Sequence, residues 1–225
     1  MHTQGDRIIA TDIQESVHYF VYKHQDNRLI VFADDTTPRW TTASAMVDYD
    51  TVVGGDKFGN FWVNRLPTSV SQDIDEDTTG NRIIHEKGVL HGAPNKIENL
   101  CQYFVGDIIT SIHRTTLISG GREVLLVTTL LGAIAIFVPF ISREDVDFFQ
   151  MLEMHMRAEA PPLAGRDHLA YRSYYAPVKS VIDGDICEQY NSLPAEKKRL
   201  IADELDRTVA EVQKKVEDIR VRSGF

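Results

Sequence analysis

Short apolar segments separated by turn-forming residues follow one another through the first 140 residues, and they constrain the fold most. Their starts are spaced by about 10–12 residues, and the gaps contain Asp-Asn, Asp-Asp, Gly-Asn and Gly-Gly pairs. Such spacing is typical of a β-sandwich, a barrel or a propeller. We predict strands over residues 7–11, 17–22, 29–33, 44–48, 51–54, 61–65, 97–104, 108–116, 124–129 and 133–138.

A loose repeat within this region favours a propeller. An apolar strand ends in an aspartate at Asp12, Asp34 and Asp48, and a small-residue strand, a tight turn and a strongly apolar strand then follow. With about 40–45 residues per blade, residues 1–140 hold roughly two and a half blades, whereas a closed propeller needs at least about four. The sequence predicts an incomplete β-propeller, interrupted by an acidic, exposed loop at about 68–95.

The pattern changes from strand to helix after residue 139. Apolar side chains recur at helical spacing over residues 146–156, and a short helix is expected near 184–192. Two further helices follow, one beginning near Pro194 and one at a capping box formed by Thr208 and Glu211. Their expected apolar positions are Leu200, Ile201, Leu205, Val209, Val212, Val216 and Ile219. Residues 141–225 are therefore predicted to form a small C-terminal helical domain.

The charge balance argues against a nucleic-acid-binding surface. The chain carries 24 lysines and arginines against 33 aspartates and glutamates, a formal net charge of -9. The strand region and the helical region are both acidic, so neither offers the basic face that contacts with phosphates need. Any association with RNA is therefore expected to be indirect, at the level of a complex.

Cysteine use and hydropathy indicate a cytosolic or nuclear protein without a membrane segment. Two distant cysteines, Cys101 and Cys187, make neither a disulfide framework nor a zinc site, and the N-terminus lacks an apolar signal core. Residues 124–141 are uncharged and long enough to suggest a membrane helix. Their Val, Ile and Thr content favours two strands around a turn near residues 131–132 instead.

No pattern typical of catalysis or of cofactor binding stands out. Residues 54–60 share the glycine spacing of a phosphate-binding loop, but Asn60 and Phe61 replace its lysine and hydroxyl residue, so a hairpin turn is the better interpretation. The aspartates at 73, 75 and 77 imitate a calcium loop without its glycine and its bidentate glutamate. Because a nucleophile elbow and clustered metal ligands are also missing, the sequence predicts a non-enzymatic protein with no cofactor and no metal.

Residues 161–190 are dense in side chains that make specific polar and aromatic contacts, and this density suggests a surface for other proteins. Tyrosine and arginine combine a large contact area with polar groups, and both are frequent at the centre of protein interfaces. The alternative is an internal role in which residues 166–168 hold a loop by hydrogen bonds. The candidate partner-binding residues are Arg166, Asp167, His168, Arg172, Tyr174 and Tyr175.

Several segments resemble the splicing factor 3b subunit 3 family. They are FADDTTPRW at 32–40, GDKFGNFWVNRLP at 55–67, DEDTTGN at 75–81, GRDHL at 165–169, RSYYAPVKSVIDGDICEQY at 172–190 and the tail from 204 to 225. The resemblance extends over essentially the whole chain and corresponds to the C-terminal part of a longer protein. It implies the last blades of a third propeller and then a helical domain. The largest subunit of the cleavage and polyadenylation factor and the large subunit of the damaged-DNA-binding protein share this architecture.

The resemblance also implies a function, partners and a location. Members of the family are non-catalytic scaffolds of splicing factor 3b, part of the nuclear U2 snRNP that recognises the intron branch site during mRNA splicing. The implied partners are the large helical-repeat subunit and the small subunit of splicing factor 3b, with other U2 snRNP proteins. The shared architecture leaves one alternative, a propeller adaptor of a damaged-DNA-binding or ubiquitin-ligase complex. The residue identities in the segments above disfavour it.

Overall fold

A computed structural model describes residues 1–77, 92–159, 165 and 167–223, and these form β-sheets followed by helices. Each of the sheets is built mainly from antiparallel neighbours that follow one another in the chain. The strands are β1 (His2–Gln4), β2 (Arg7–Thr11), β3 (Val17–Lys23), β4 (Arg28–Asp34), β5 (Thr41–Met46), β6 (Thr51–Asp56), β7 (Asn60–Arg65), β8 (Asn95–Lys96), β9 (Glu98–Phe104), β10 (Ile109–Thr116), β11 (Glu123–Thr129) and β12 (Ile134–Phe137).

The strands are distributed over three sheets in chain order. The first contains β1 to β4 with β8 added in parallel beside β4, the second contains β5, β6, β7 and β9, and the third contains β10 to β12. Alternate side chains point to the core, as in β3, where Val17, Tyr19 and Val21 are buried. The predicted class, mainly β followed by α, is confirmed. Within the described residues the sheets stay separate and do not close into a barrel.

The predicted strands are present, with shifted ends. The largest shift concerns β5, predicted at 44–48 and found at Thr41–Met46. Asp48 forms a turn instead, because its carboxylate accepts the backbone N–H of Asp50 at 2.9 Å. The prediction missed β1 and β8, which are three and two residues long and therefore too short to show an alternating pattern.

The turn between β6 and β7 is a hairpin, as predicted, rather than a phosphate-binding loop. Gly59 has φ of 84°, a conformation that glycine adopts readily. The carboxylate of Asp56 accepts the backbone N–H groups of Phe58 at 2.8 Å and Asn60 at 3.0 Å. These bonds fix the turn and leave Phe58 at its tip, 49% exposed.

Two glycines in β6 allow the second sheet to pack closely. A Cβ atom at Gly54 would lie 2.0 Å from the ring of Trp62, and one at Gly55 would lie 2.5 Å from Ile109 of the third sheet. A larger residue at Gly54 would therefore disturb the core that Trp62 shares with the first sheet, and one at Gly55 would push apart a core shared by the second and third sheets. That core contains Val53, Phe61, Tyr103, Ile109, Ile112 and Val127.

The uncharged stretch 124–141 contains β11 and β12, paired antiparallel around a turn in which Gly132 has φ of 91°. This confirms the prediction of two strands in place of a membrane helix. Among the residues that the structure describes, none of the helices has the length and apolar character needed to cross a bilayer.

The prediction of an exposed loop at 68–95 is wrong for its first third, which forms the helix α1 (Thr68–Glu76), and residues 78–91 of the predicted loop lie outside the described residues. The helix buries two of its own side chains, Ser71 and Ile74, which are three residues apart. Arg7 of β2 donates hydrogen bonds to Ser71 at 3.1 Å and to Asp75 at 3.2 Å. A short helix with only two buried positions has a weak apolar periodicity, and the acidic, polar composition of this segment is more typical of a loop.

The chain continues into helices after β12, as predicted. They are α2 (Arg143–Glu159), α3 (His168–Arg172), α4 (Gly184–Glu188), a 3₁₀ turn (Gln189–Ser192), α5 (Ala195–Glu204) and α6 (Val209–Ser223). The capping box is confirmed, since Thr208 N–H donates to the Glu211 carboxylate at 2.7 Å and Glu211 N–H donates to Thr208 Oγ1 at 3.3 Å. Five of these helical elements, all except α3, share one core, with Phe149, Leu152 and Val212 among its buried side chains.

One expected core position is wrong. Leu200 of α5 is 63% exposed, whereas Ile201 and Leu205 are buried as predicted. On a helix, residues four apart share a face, so Ile201 and Leu205 point to the core together and Leu200 is turned about 100° away.

Candidate docking site

The candidate residues from the sequence lie at the short helix α3 and just after it. Asp167 precedes α3, His168 and Arg172 are its first and last residues, and Tyr174 and Tyr175 follow it. Arg166 lies outside the described residues. The helix packs against the end of β9, so the candidate residues stand where the helical region meets the second sheet.

The carboxylate of Asp183 is the centre of this junction. Its Oδ2 atom accepts the Tyr103 hydroxyl at 2.7 Å and the Arg172 Nε–H at 3.0 Å, and it lies 2.9 Å from His168 Nε2. Its Oδ1 atom accepts the backbone N–H of Asp185 at 3.1 Å and so caps α4. One buried carboxylate therefore connects a strand, the short helix α3 and the start of α4.

Arg172 extends the junction to the sheet backbone. Its Nη1 donates to the carbonyl oxygens of Phe104 at 3.1 Å and Val105 at 3.2 Å, while its Nη2 lies 2.9 Å from Asp183. Its guanidinium also lies over the ring of Tyr103, 4.8 Å from the centroid. Because all these contacts are internal, Arg172 positions neighbouring residues in this structure.

Burial and charge set the acidity of this site. Burial opposes ionisation of Asp183, but the Arg172 charge, the Tyr103 hydroxyl and His168 outweigh it and hold the pKa of Asp183 below its usual value. Burial, reinforced by the Asp183 charge, raises the pKa of Tyr103. Burial also raises the pKa of Glu153, whose carboxylate accepts the backbone N–H of Asp183 at 3.1 Å.

Tyr174 and Tyr175 face outwards, and each is 54% exposed. Both rings contact Phe104, with centroids 5.6 Å away, and Tyr175 also contacts Phe58 at 5.4 Å. Sequence reasoning missed Phe58, Phe104 and Asp183 as members of this site. The signals were an aromatic residue at a hairpin tip and an Asp-Gly-Asp helix start at 183–185.

The serine and the histidine of the junction both have internal partners. Ser173 accepts the backbone N–H of Val178 at 3.2 Å, so its hydroxyl belongs to a turn, and His168 faces Asp183. Across the described ranges no group of three or more His, Cys, Asp and Glu residues is arranged to hold a metal ion. What the site presents to solvent is aromatic surface, which suits contact with another molecule.

A comparison with protein families identifies the fold family. The model of the CPSF A subunit region matches residues 1–192. The chain belongs to the CPSF A subunit family. The match includes the strands, the Asp183 junction and the exposed tyrosines, so the candidate docking site lies within the region typical of the family.

Curated relatives within the CPSF A subunit family are splicing factors. Splicing factor 3B subunit 3 of Danio rerio is 55% identical over 225 residues, covering 100% of this chain and 18% of that protein. Pre-mRNA-splicing factor prp12 of Schizosaccharomyces pombe is 57% identical over 220 residues, covering 98% of this chain and 18% of the relative. Pre-mRNA-splicing factor rse1 of Emericella nidulans is 56% identical over 225 residues, covering 100% of this chain and 19% of the relative. The predicted resemblance is confirmed, and the chain spans about a fifth of the length of these relatives.

Proposed function

We propose that this chain is part of a non-catalytic scaffold subunit of splicing factor 3b, and that it supports branch-site recognition by the U2 snRNP in the nucleus. The observation that carries the proposal is the similarity to splicing factors, 53–57% identity over nearly the whole chain. The partners would be the large helical-repeat subunit, the small subunit and other U2 snRNP proteins. Because the net charge is -9, contact with RNA would be indirect.

The proposed architecture is the last part of a β-propeller in residues 1–140, followed by a helical domain in residues 141–225. Support comes from the succession of antiparallel sheets in which each new sheet begins beside the previous one, as blades do. His2 of β1 and Thr11 of β2 both contact Ser44 of β5, which links the first sheet to the second. The shared core around Ile109 links the second sheet to the third.

The proposed partner-binding residues are those around α3. Tyr174 and Tyr175 offer exposed rings, Asp167 is exposed, and His168 and Arg172 anchor α3, just before the two tyrosines, to Asp183. Arg166 belongs to the same proposed surface by its position in the sequence. An internal connecting role for His168 and Arg172 is compatible with this, since a rigid support lowers the entropy lost when the tyrosines bind.

Affinity purification of the tagged protein from nuclear extract, followed by mass spectrometry and RNA detection, tests the proposal. We expect recovery of the large helical-repeat splicing subunit and of U2 RNA. A tagged Tyr174→Ala/Tyr175→Ala variant should recover less of this subunit, while a matched Leu200→Ala variant, which alters an exposed side chain elsewhere, should behave as the wild type. Recovery of cullin-type ligase components in place of splicing proteins would replace the proposal with the adaptor function.

A further inference from the structure

Five half-exposed aromatic side chains form a continuous surface, here called the aromatic surface. Phe58 contacts Tyr175 at 5.4 Å, Tyr175 contacts Tyr174 at 4.9 Å, and Phe104 beneath them also contacts Tyr171 at 5.3 Å. Trp40 is linked to these rings through Lys57, the residue before Phe58, because the Trp40 carbonyl accepts the Lys57 N–H at 3.0 Å and Lys57 Nζ lies 4.2 Å from the Trp40 ring centroid. The five members, Trp40, Phe58, Tyr171, Tyr174 and Tyr175, are 42%, 49%, 41%, 54% and 54% exposed.

The aromatic surface is held rigidly from below. A Cβ atom at Gly106 would lie 2.2 Å from the Tyr171 hydroxyl, so the glycine allows this ring to lie on the backbone. Tyr174 stacks on Phe104 with an interplanar angle of 24°, and Arg172 lies 5.3 Å from the centroid of the Tyr171 ring. Rings that are already ordered lose little entropy on binding, which favours recognition by this surface.

The size of the aromatic surface suits a short segment. An aromatic side chain buries about 150–250 Å² when fully covered, so five half-exposed rings offer roughly 400–600 Å². This is as large as the patches that mark interaction sites on monomers, about 300–600 Å². It is smaller than the roughly 800 Å² that each partner contributes to a standard interface between folded proteins. A peptide segment therefore fits the surface better than the face of a second globular protein.

The chemistry of the surface selects the conformation of that segment. Hydroxyl groups and an indole N–H stand among the rings, and these groups can donate hydrogen bonds to carbonyl oxygens. A helix bonds its own carbonyls, whereas a polyproline II segment has no internal hydrogen bonds and presents them outwards. Proline rings also pack on aromatic rings with little loss of entropy. An extended, proline-rich segment uses both features of the surface.

Lys57 adds a preference for charge. Its Nζ lies 4.2 Å from the centroid of the Trp40 ring, and across the part of the chain that the structure describes it pairs with no carboxylate. An unpaired lysine at the end of an aromatic surface is available to an incoming anion. The segment is therefore expected to carry an acidic residue beside its prolines.

We propose that the aromatic surface binds an extended, proline-rich segment of a partner protein, with an acidic residue against Lys57. This rests on the proposed scaffold function and names the chemistry of one of its ligands. Rings of Phe58, Tyr174 and Tyr175 would contact the prolines, and the Tyr175 hydroxyl would donate to a backbone carbonyl.

Calorimetric titration with three synthetic peptides of equal length tests the proposal. The probes are eight prolines followed by two glutamates, a Gly-Ser repeat followed by two glutamates, and an amphipathic Ala-Leu-Lys helix. We expect saturable binding of the proline peptide alone. The Phe58→Ala and Tyr175→Ala variants should each lower its affinity at least about fivefold, and Tyr175→Phe, which keeps the ring, should lower it less, about threefold. Leu200→Ala is the matched control and should bind as the wild type.

A Lys57→Met variant should bind the proline–glutamate peptide no better than a ten-proline peptide. Equal or tighter binding of the helical or Gly-Ser probe, or no saturable binding up to millimolar peptide, overturns the proposal. Failure of the peptide titration while the tagged protein still recovers the splicing subunit refutes this inference alone. Peptide binding without recovery of splicing proteins refutes the proposed function and leaves the peptide site standing.

Discussion

Two arginines, Arg7 and Arg172, each hold a helix against a β-sheet, but opposite members of the ion pair are buried. Arg7 is fully buried under α1, and its partners Asp50 and Asp75 are 26% and 52% exposed. Arg172 is 18% exposed, whereas its partner Asp183 is only 4% exposed. The first junction thus has a buried cation and anions that reach water, and the second has a buried anion.

This difference in exposure determines whether the partner carboxylates can reach water when an arginine is removed. Asp50 and Asp75 can regain water, so their desolvation is relieved once Arg7 is gone. Asp183 cannot, because Tyr103 and the helix start cover it. A buried carboxylate without its cation costs several kcal/mol, and the same substitution should therefore affect the two junctions unequally.

Arg172→Met is expected to have the largest effect. It keeps much of the side-chain volume but leaves Asp183 buried without its main cation, and it also frees the carbonyls of Phe104 and Val105. We expect a loss of about 3–5 kcal/mol in the free energy of unfolding, measured by chemical denaturation. Arg220→Met, at a half-exposed arginine of α6, is the control and should change stability by less than about 1 kcal/mol. Similar losses for both would mean that Asp183 is not as isolated from water as its exposure indicates.

Arg7→Met should cost less, about 1–2 kcal/mol, although Arg7 is the more deeply buried arginine. Methionine can retain contacts with Phe32 and Tyr49, over whose rings the guanidinium lies at 5.2 Å and 4.0 Å. It also removes a buried Nε that has no hydrogen-bond partner. The same denaturation experiment measures the change. A loss as large as that of Arg172→Met would break the comparison and show that burial of the cation matters as much as burial of the anion.

The strands were predictable because their turn residues and apolar alternation are local signals. Gly59 and Asn60 mark a hairpin in the sequence, and the structure has its turn at these residues. The helix α1 was not predictable in this way, since its existence depends on Arg7, 64 residues away from Ser71 in the chain. Local propensity cannot report a contact that forms only when distant strands assemble.

The candidate site shows the same limit. The density of tyrosine and arginine in residues 161–190 pointed to candidates between 166 and 175, and the structure brings most of the described candidates together. Sequence reasoning could not divide them into exposed rings and internal supports, because that division is made by Asp183, Tyr103 and Phe104, which come from elsewhere in the chain. Arg172 and Tyr174 are two residues apart, yet one faces the interior and the other faces solvent.

Acid should weaken the Asp183 junction specifically. Because the folded-state pKa of Asp183 is below its unfolded value of about 3.9, the ionised carboxylate contributes stability that is fully present above about pH 4 and is lost as pH falls through the folded pKa. We expect Asp183→Asn to be less stable than the wild type at pH 6, with a gap that narrows towards pH 3. Asp203→Asn, at an exposed carboxylate of α5, should show no such gap. A gap independent of pH would show that the charge of Asp183 is not what stabilises the junction.

The pH dependence of the Glu153→Gln variant should have the opposite sign to that of Asp183→Asn, and its effect on stability should be the smallest of those predicted. It therefore tests how charge is arranged around Asp183. Burial raises its folded-state pKa above the unfolded value of about 4.3, so the protonated form favours folding below that pH and this contribution is lost as pH rises through the folded pKa. Glu153→Gln resembles the protonated form and its carbonyl can still accept the Asp183 N–H. The variant should therefore unfold at slightly higher denaturant than the wild type at pH 7, and at the same concentration below pH 4. Glu217→Gln, at an exposed position of α6, serves as the control. A destabilised Glu153→Gln at pH 7 would mean that its negative charge helps to hold Arg157 and His168 in place, and that the junction depends on two carboxylates rather than one.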